Sequence, residues 1–114
     1  MKKLVLLLGM ISGIVSLNAS ASFSCTVDIS NVLIYQNGLV NVKHTGRNDF
    51  TYICNLTSDW NGVNPVTCAM WTSILQNLKQ DNNKAVFKYN GEGSCETLPT
   101  YDASISPDFI GSSS

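Results

Sequence analysis

The chain has 114 residues, with seven basic and eight acidic side chains, a formal charge of −1 and four cysteines. That length suits a single domain with a limited core. No basic block is present, which argues against nucleic acid and anionic membrane surfaces as partners.

Residues 1–21 have the make-up of a secretory signal peptide. Met1-Lys2-Lys3 is a cationic head, residues 4–17 are apolar apart from Gly and Ser, and Ala19-Ser20-Ala21 is a small-x-small cleavage site. The apolar run falls short of the ~20 residues that span a bilayer, so no membrane insertion is expected. Its removal leaves 93 residues, 22–114, with five basic against eight acidic side chains and a formal charge of −3. The expected location is secreted or periplasmic, and the Lys-Lys start points to a bacterial source. In such an oxidising compartment Cys25, Cys54, Cys68 and Cys95 are expected as disulfides rather than as metal ligands.

Residues 25–35 are rich in Val, Ile, Thr and Tyr and read as one strand with a bulge at Ser30-Asn31. Asn37-Gly38 predicts a type I′ hairpin turn, whose two central positions need positive φ. Residues 39–44 form the return strand, with Val40 and Val42 on one face and Asn41 and Lys43 on the other. A polar loop follows at 45–49. Residues 50–56 are a third strand, with Phe50, Tyr52, Cys54 and Leu56 sharing a face. Residues 57–65 are a turn region containing Asn61-Gly62 and Asn64-Pro65. Trp71, Ile74, Leu75 and Leu78 then fall at the i, i+3, i+4, i+7 spacing of one helix face. This predicts a helix over 68–80, stopped by Asp81-Asn82-Asn83. Residues 85–89 read as a strand, Gly91 and Gly93 as a loop, and 94–98 as a last short strand. The domain is expected to span 22–103, with 104–114 a flexible tail unless Phe109 and Ile110 dock. The fold class is α+β: a small antiparallel OB-like barrel or sheet with one helix, stapled by disulfides.

Four cysteines allow three connectivities, and sequence alone does not choose among them. Their spacing favours Cys54–Cys68, joining a strand end to the helix start across the long turn. Cys25–Cys95 would then tie the first strand to the last ordered segment.

Little in the chain points to catalysis. His44 is the only histidine, and on a strand beside a loop it is expected to make a surface or cross-strand contact. Asp28, Asp59, Glu92, Glu96 and Asp102 are carboxylates without a spacing that singles out an acid–base pair. One histidine cannot complete a metal site, so neither a metal nor a cofactor is expected. Trp71 belongs to the apolar helix face and reads as core. Trp60, among Asp59, Asn61 and Gly62, could offer a stacking surface to a sugar or partner, or fold back as a lid on the core. Tyr52, Tyr89 and Tyr101 are ambiguous in the same way.

The order Gly38-Leu39-Val40, His44-Thr45-Gly46, Tyr52, Cys54, a thirteen-residue gap to Cys68, an amphipathic helix and a strand ending at Tyr89 carries a resemblance. Residues 37–89 resemble the B subunits of the subtilase-cytotoxin and pertussis-like toxin family. The resemblance implies a secreted bacterial OB-fold lectin that assembles as a pentamer and binds sialylated glycans. It implies the Cys54–Cys68 pairing as well. The family's sugar-contacting tyrosine falls at Tyr89, and its carboxylate-holding serine is replaced here by Asn37. The helix is shorter than the family's, and the strand over 25–35 has no counterpart in the comparison.

These readings converge on a non-enzymatic binding module, with Asn37, Trp60 and Tyr89 as ligand-binding residues and a glycan as ligand. The alternative is a periplasmic inhibitor or immunity-type protein acting on an envelope or secreted protein through surface complementarity.

Overall fold

A computed structural model describes residues 21–113 of the chain. The expected signal peptide therefore lies, apart from Ala21, outside the described residues. Six strands and one α-helix follow in order: β1 (Ser22–Val27), β2 (Ile29–Ile34), β3 (Leu39–His44), β4 (Phe50–Asn55), α1 (Pro65–Gln80), β5 (Ala85–Asn90) and β6 (Phe109–Ser112). They build two three-stranded antiparallel sheets, ordered β1-β5-β6 and β2-β3-β4. The helix packs on β2, β4 and β6, so it touches both sheets. This is the expected small α+β domain, and its architecture is compatible with an OB-type arrangement.

The predicted first strand is two strands. Asp28 breaks it: β1 pairs with β5, and β2 pairs with β3. Val27 and Ile29 on either side of the break are both buried, so neighbouring residues point into one core from different sheets. The corner is tied by reciprocal bonds between Asp28 and Thr45: the Asp28 N–H donates to Thr45 Oγ1 (3.0 Å) and the Thr45 N–H to the Asp28 carbonyl (3.1 Å). The bulge falls as read, since Ile29 pairs with His44 and Asn31 with Lys43, leaving Ser30 unmatched.

The two Asn-Gly pairs behave differently. At Asn37-Gly38 only Gly38 has positive φ (91°), and the Gly38 N–H donates to the Tyr35 carbonyl (2.8 Å). This is a three-residue loop with a glycine bulge rather than the predicted I′ turn. At Asn61-Gly62 both residues have positive φ (46° and 84°), and Trp60 and Val63 exchange both backbone bonds. The I′ signature holds there instead.

In β4 the predicted shared face is interrupted. The register slips between Val40↔Cys54 and Asn41↔Tyr52, so Ile53 is the extra residue of a bulge. Ile53 and Cys54 are both buried, whereas Phe50 and Tyr52 stay half-buried. The helix starts three residues before the predicted Cys68. Pro65 takes the first position, and the Asn64 carboxamide oxygen caps it by accepting from the Thr67 N–H (2.8 Å). Trp71, Leu75 and Leu78 enter the core as the periodicity requires, with Phe87, Ile53, Val40 and Val42. Residues 95–97 form a 3-10 turn where a short strand was predicted. In the 104–113 stretch β6 pairs with β5 and Ile110 and Ser104 are buried, whereas Phe109 is 46 % exposed.

The disulfides are Cys25–Cys95 and Cys54–Cys68, the pairing that the spacing favours. The first ties β1 to the 3-10 turn, and the second ties β4 to α1. Two disulfides fit an oxidising compartment. Among the described residues no helix is long and apolar enough to cross a membrane.

Candidate functional site

The three residues expected to bind a ligand do not share one surface feature. Asn37 is exposed at the β2–β3 loop. Its carboxamide oxygen accepts from the Leu39 N–H (3.1 Å), its carbonyl accepts from the Thr57 hydroxyl (3.0 Å), and its amide N–H2 has no partner among the described residues. With Tyr35 and Gln36 it lines a shallow concavity of about 360 Å3. Trp60 is half-buried at the start of the Asn61-Gly62 turn. Tyr89 has no exposed surface. Phe23 stacks on it with ring centroids 5.2 Å apart and planes 19° from parallel. Burial pushes the Tyr89 phenol well above its ordinary range, against a smaller opposing effect of the Arg47 guanidinium. In this conformation its ring presents no face to a ligand.

His44 is not a surface residue. It is fully buried beside Phe87, with ring centroids 5.1 Å apart. The Gly46 N–H donates to its Nδ1 (3.1 Å), which leaves the proton of the neutral ring on Nε2.

What the fold does assemble is an aromatic row. Tyr35, at the end of β2, meets Tyr52 on β4 edge-on at 6.4 Å between centroids. Tyr52 meets Tyr101 edge-on at 5.9 Å, and Tyr101 lies 6.1 Å from Phe50. The Lys43 ammonium sits 6.0 Å from the Phe50 ring. Tyr35 and Tyr101 are 38 % and 43 % exposed, so the three-tyrosine part of the row has an open ring at each end. Three of the chain's four tyrosines are gathered here. The Tyr52 phenol is raised above its ordinary value by partial desolvation and by its neighbours Tyr35, Asp102 and Tyr101.

Long-range contacts build this row. Tyr101 reaches it because the 99–104 turn is clamped onto β4. The buried Ser104 hydroxyl accepts from the Tyr52 N–H (3.0 Å) and donates to the Pro99 carbonyl (3.2 Å). The Arg47 guanidinium donates to the Phe50 carbonyl, the Thr51 hydroxyl and the Pro99 carbonyl. Tyr101 itself has φ +51°, a conformation costly for a bulky residue. At the other end the fully buried Asn41 donates its amide to the Tyr35 hydroxyl (3.1 Å), while Asn41 Oδ1 has no partner among the described residues. Tyr35 is thus held from behind by a core residue, and Tyr101 by a strained turn.

Chemically the row offers ring faces, three phenol hydroxyls and, at the Tyr35 end, the spare amide of Asn37. That inventory suits recognition of a ligand with apolar faces and hydroxyl groups. No family model matches this chain, and no curated protein or solved structure matches it.

Proposed function

We propose that the protein is a secreted or periplasmic, non-enzymatic carbohydrate-binding module whose sugar-binding face is the Tyr35–Tyr52–Tyr101 row. The observation that carries this reading is the exposure of Tyr35 and Tyr101 at either end of a packed aromatic row. Rings already fixed by packing lose little entropy when a sugar stacks on them. Their hydroxyls and the Asn37 amide supply the polar contacts that orient it. The two disulfides and the signal-like start support an extracytoplasmic setting.

A glycan array followed by calorimetry tests this, using protein with both disulfides formed. Tyr35→Ala and Tyr101→Ala should each weaken the best glycan by about tenfold, the effect of losing a central aromatic contact. Neither side chain belongs to the buried core cluster, so circular dichroism should still report a folded protein, with some stability lost in Tyr35→Ala because the buried Asn41 amide loses its acceptor. An array blank for the wild type, or a folded double variant that binds as well as the wild type, overturns the reading.

A second reading, action on an envelope or secreted protein, draws on a different feature. Leu33 and Ile34 are 39 % and 49 % exposed on β2, an edge strand of its sheet. A partner could add a strand there. Loss of a co-purifying protein in Ile34→Lys, with no glycan bound by the wild type, would favour it.

A further inference from the structure

We propose that the cleft at the start of α1 is a second binding site, separate from the aromatic row, and that it takes a neutral N-acylated sugar residue. The cleft encloses about 610 Å3, within the range of small-ligand sites. It lies between the Asn61-Gly62 turn, the first turns of α1, the end of β5 and residues 105–108. None of the row's residues lines it.

The floor carries the first observation. Trp71 is only 8 % exposed, yet its indole N–H has no acceptor among the described residues and is not sealed from solvent. A tryptophan this deeply buried normally satisfies its N–H within the protein. Trp71 is among the residues that line the cleft, so a ligand held there is within reach of this unsatisfied donor.

Two carboxamides add to it in the same sense. Asn64 has its oxygen engaged by the Thr67 N–H (2.8 Å), and Asn90 has its oxygen engaged by the Lys88 ammonium (3.2 Å). Each oxygen thus has one partner, whereas each N–H2 has no acceptor among the described residues, so both carboxamides keep donors to offer. The lining residues Trp71, Asn64 and Asn90 therefore carry N–H donors with no acceptor among the described residues, and a carbonyl oxygen can accept from up to two of them. Ile105 and Pro107 add an apolar wall that would cover a methyl group.

Charge narrows the class further. The Asp108 carboxylate lines the cleft and lies 3.6 Å from the Lys88 ammonium. The two charges compensate each other, so the lining holds no spare cation to attract an anionic ligand. Asp108 can instead accept from sugar hydroxyls. A carbonyl acceptor, a small apolar group and hydroxyl donors without net charge together describe an N-acetylated sugar.

The chain has two tryptophans, and Trp60 does not line the cleft. Trp60→Phe leaves Trp71 as the sole indole reporter. Titration of that variant with N-acetylglucosamine should give a saturable change in Trp71 fluorescence. Glucose should bind about tenfold more weakly, since it brings neither the amide carbonyl nor the methyl group, and acetate should give no response. In the otherwise wild-type chain, Trp71→Phe keeps an aromatic ring but removes the N–H. It should weaken N-acetylglucosamine binding about tenfold by ligand-observed NMR. Asn90→Ala, at an exposed strand end, should weaken it in the same way if Trp71→Phe does not fold. No saturable response to N-acetylglucosamine, equal responses to glucose and N-acetylglucosamine, or binding indifferent to both substitutions would overturn the proposal. The readout sits at Trp71, so failure of the aromatic row on a glycan array leaves this prediction standing, and the reverse holds as well.

Discussion

His44 makes a stability argument rather than a catalytic one. It is the only histidine, it is fully buried, and its Nε2 has no partner among the described residues. Desolvation, helped by the nearby Arg47 guanidinium, lowers its pKa from 6.5 to about 4. The unfolded chain therefore takes up a proton at this residue well before the folded one does. Stability from His44 is complete above pH 6.5 and falls as the pH drops from 6.5 towards 4. The loss is at most about 3 kcal/mol, from the size of the shift. Urea midpoints measured between pH 7 and pH 4 should decline, and His44→Asn should flatten that decline even though it lowers the starting stability. An equal slope in the variant would mean that carboxylates alone set the acid sensitivity. Burial of this imidazole was not legible in the sequence. Next to the polar loop at 45–49, His44 resembles a surface residue, and it is enclosed by the central place of β3 in its sheet together with Phe87 of the other sheet.

Among the turns, two glycines that look alike in the sequence carry different loads. Gly38 has φ +91°, and a Cβ added there would lie 2.7 Å from Asn55 Oδ1 and 2.8 Å from Thr57 Cγ2. Gly62 has φ +84° with nothing within 4 Å of an added Cβ. Gly62→Ala should cost about 1 kcal/mol, the backbone strain alone. Gly38→Ala adds a clash with side chains of the β4 end and should cost about 3 kcal/mol. Chemical denaturation compares the two; equal losses would mean that Asn55 and Thr57 move aside freely. Dipeptide chemistry marks both turns, but their type is decided by what they connect. The strands flanking Asn37-Gly38 are continuous ladders whose register accepts a bulge. Trp60 and Val63 make a lone bridge that fits the two-residue turn. The same limit explains the first strand. An apolar run with β propensity was legible over residues 25–35, whereas its division at Asp28 depends on two sheets sharing one core. Helix α1 was legible in its buried face, because a 3.6-residue period is a local property. Its true start became clear only through the Asn64 cap.

For the molecule as a whole, the candidate sites were less legible than the fold because they are made by distant segments. Tyr101 joins Tyr52 across 49 positions through Ser104 and Arg47, and Trp71 lines one cleft with Asn90 and Asp108 from other segments. Residue type pointed towards loop aromatics such as Trp60, but which aromatics meet was set by the closing turn. The disulfides hold that closure unequally. Cys54 and Cys68 are fully buried between β4 and α1, whereas Cys95 is half-buried at the 3-10 turn. Thiol–disulfide exchange needs a sulfur that the attacking thiolate can reach. Mild dithiothreitol treatment of the folded protein should therefore open Cys25–Cys95 first. Alkylation and peptide mapping at early times should label Cys25 and Cys95 while Cys54 and Cys68 stay joined. The opened bridge spans 70 positions, so its loss should remove about 4 kcal/mol through the entropy of the unfolded chain. That is a large share of the stability of a domain this size. The partly reduced form should then show a much lower urea midpoint, with global unfolding exposing the second disulfide. Early labelling of Cys54 or Cys68 would mean instead that the β4–α1 contact opens before the β1 end does, and that the helix is the weaker attachment in the fold.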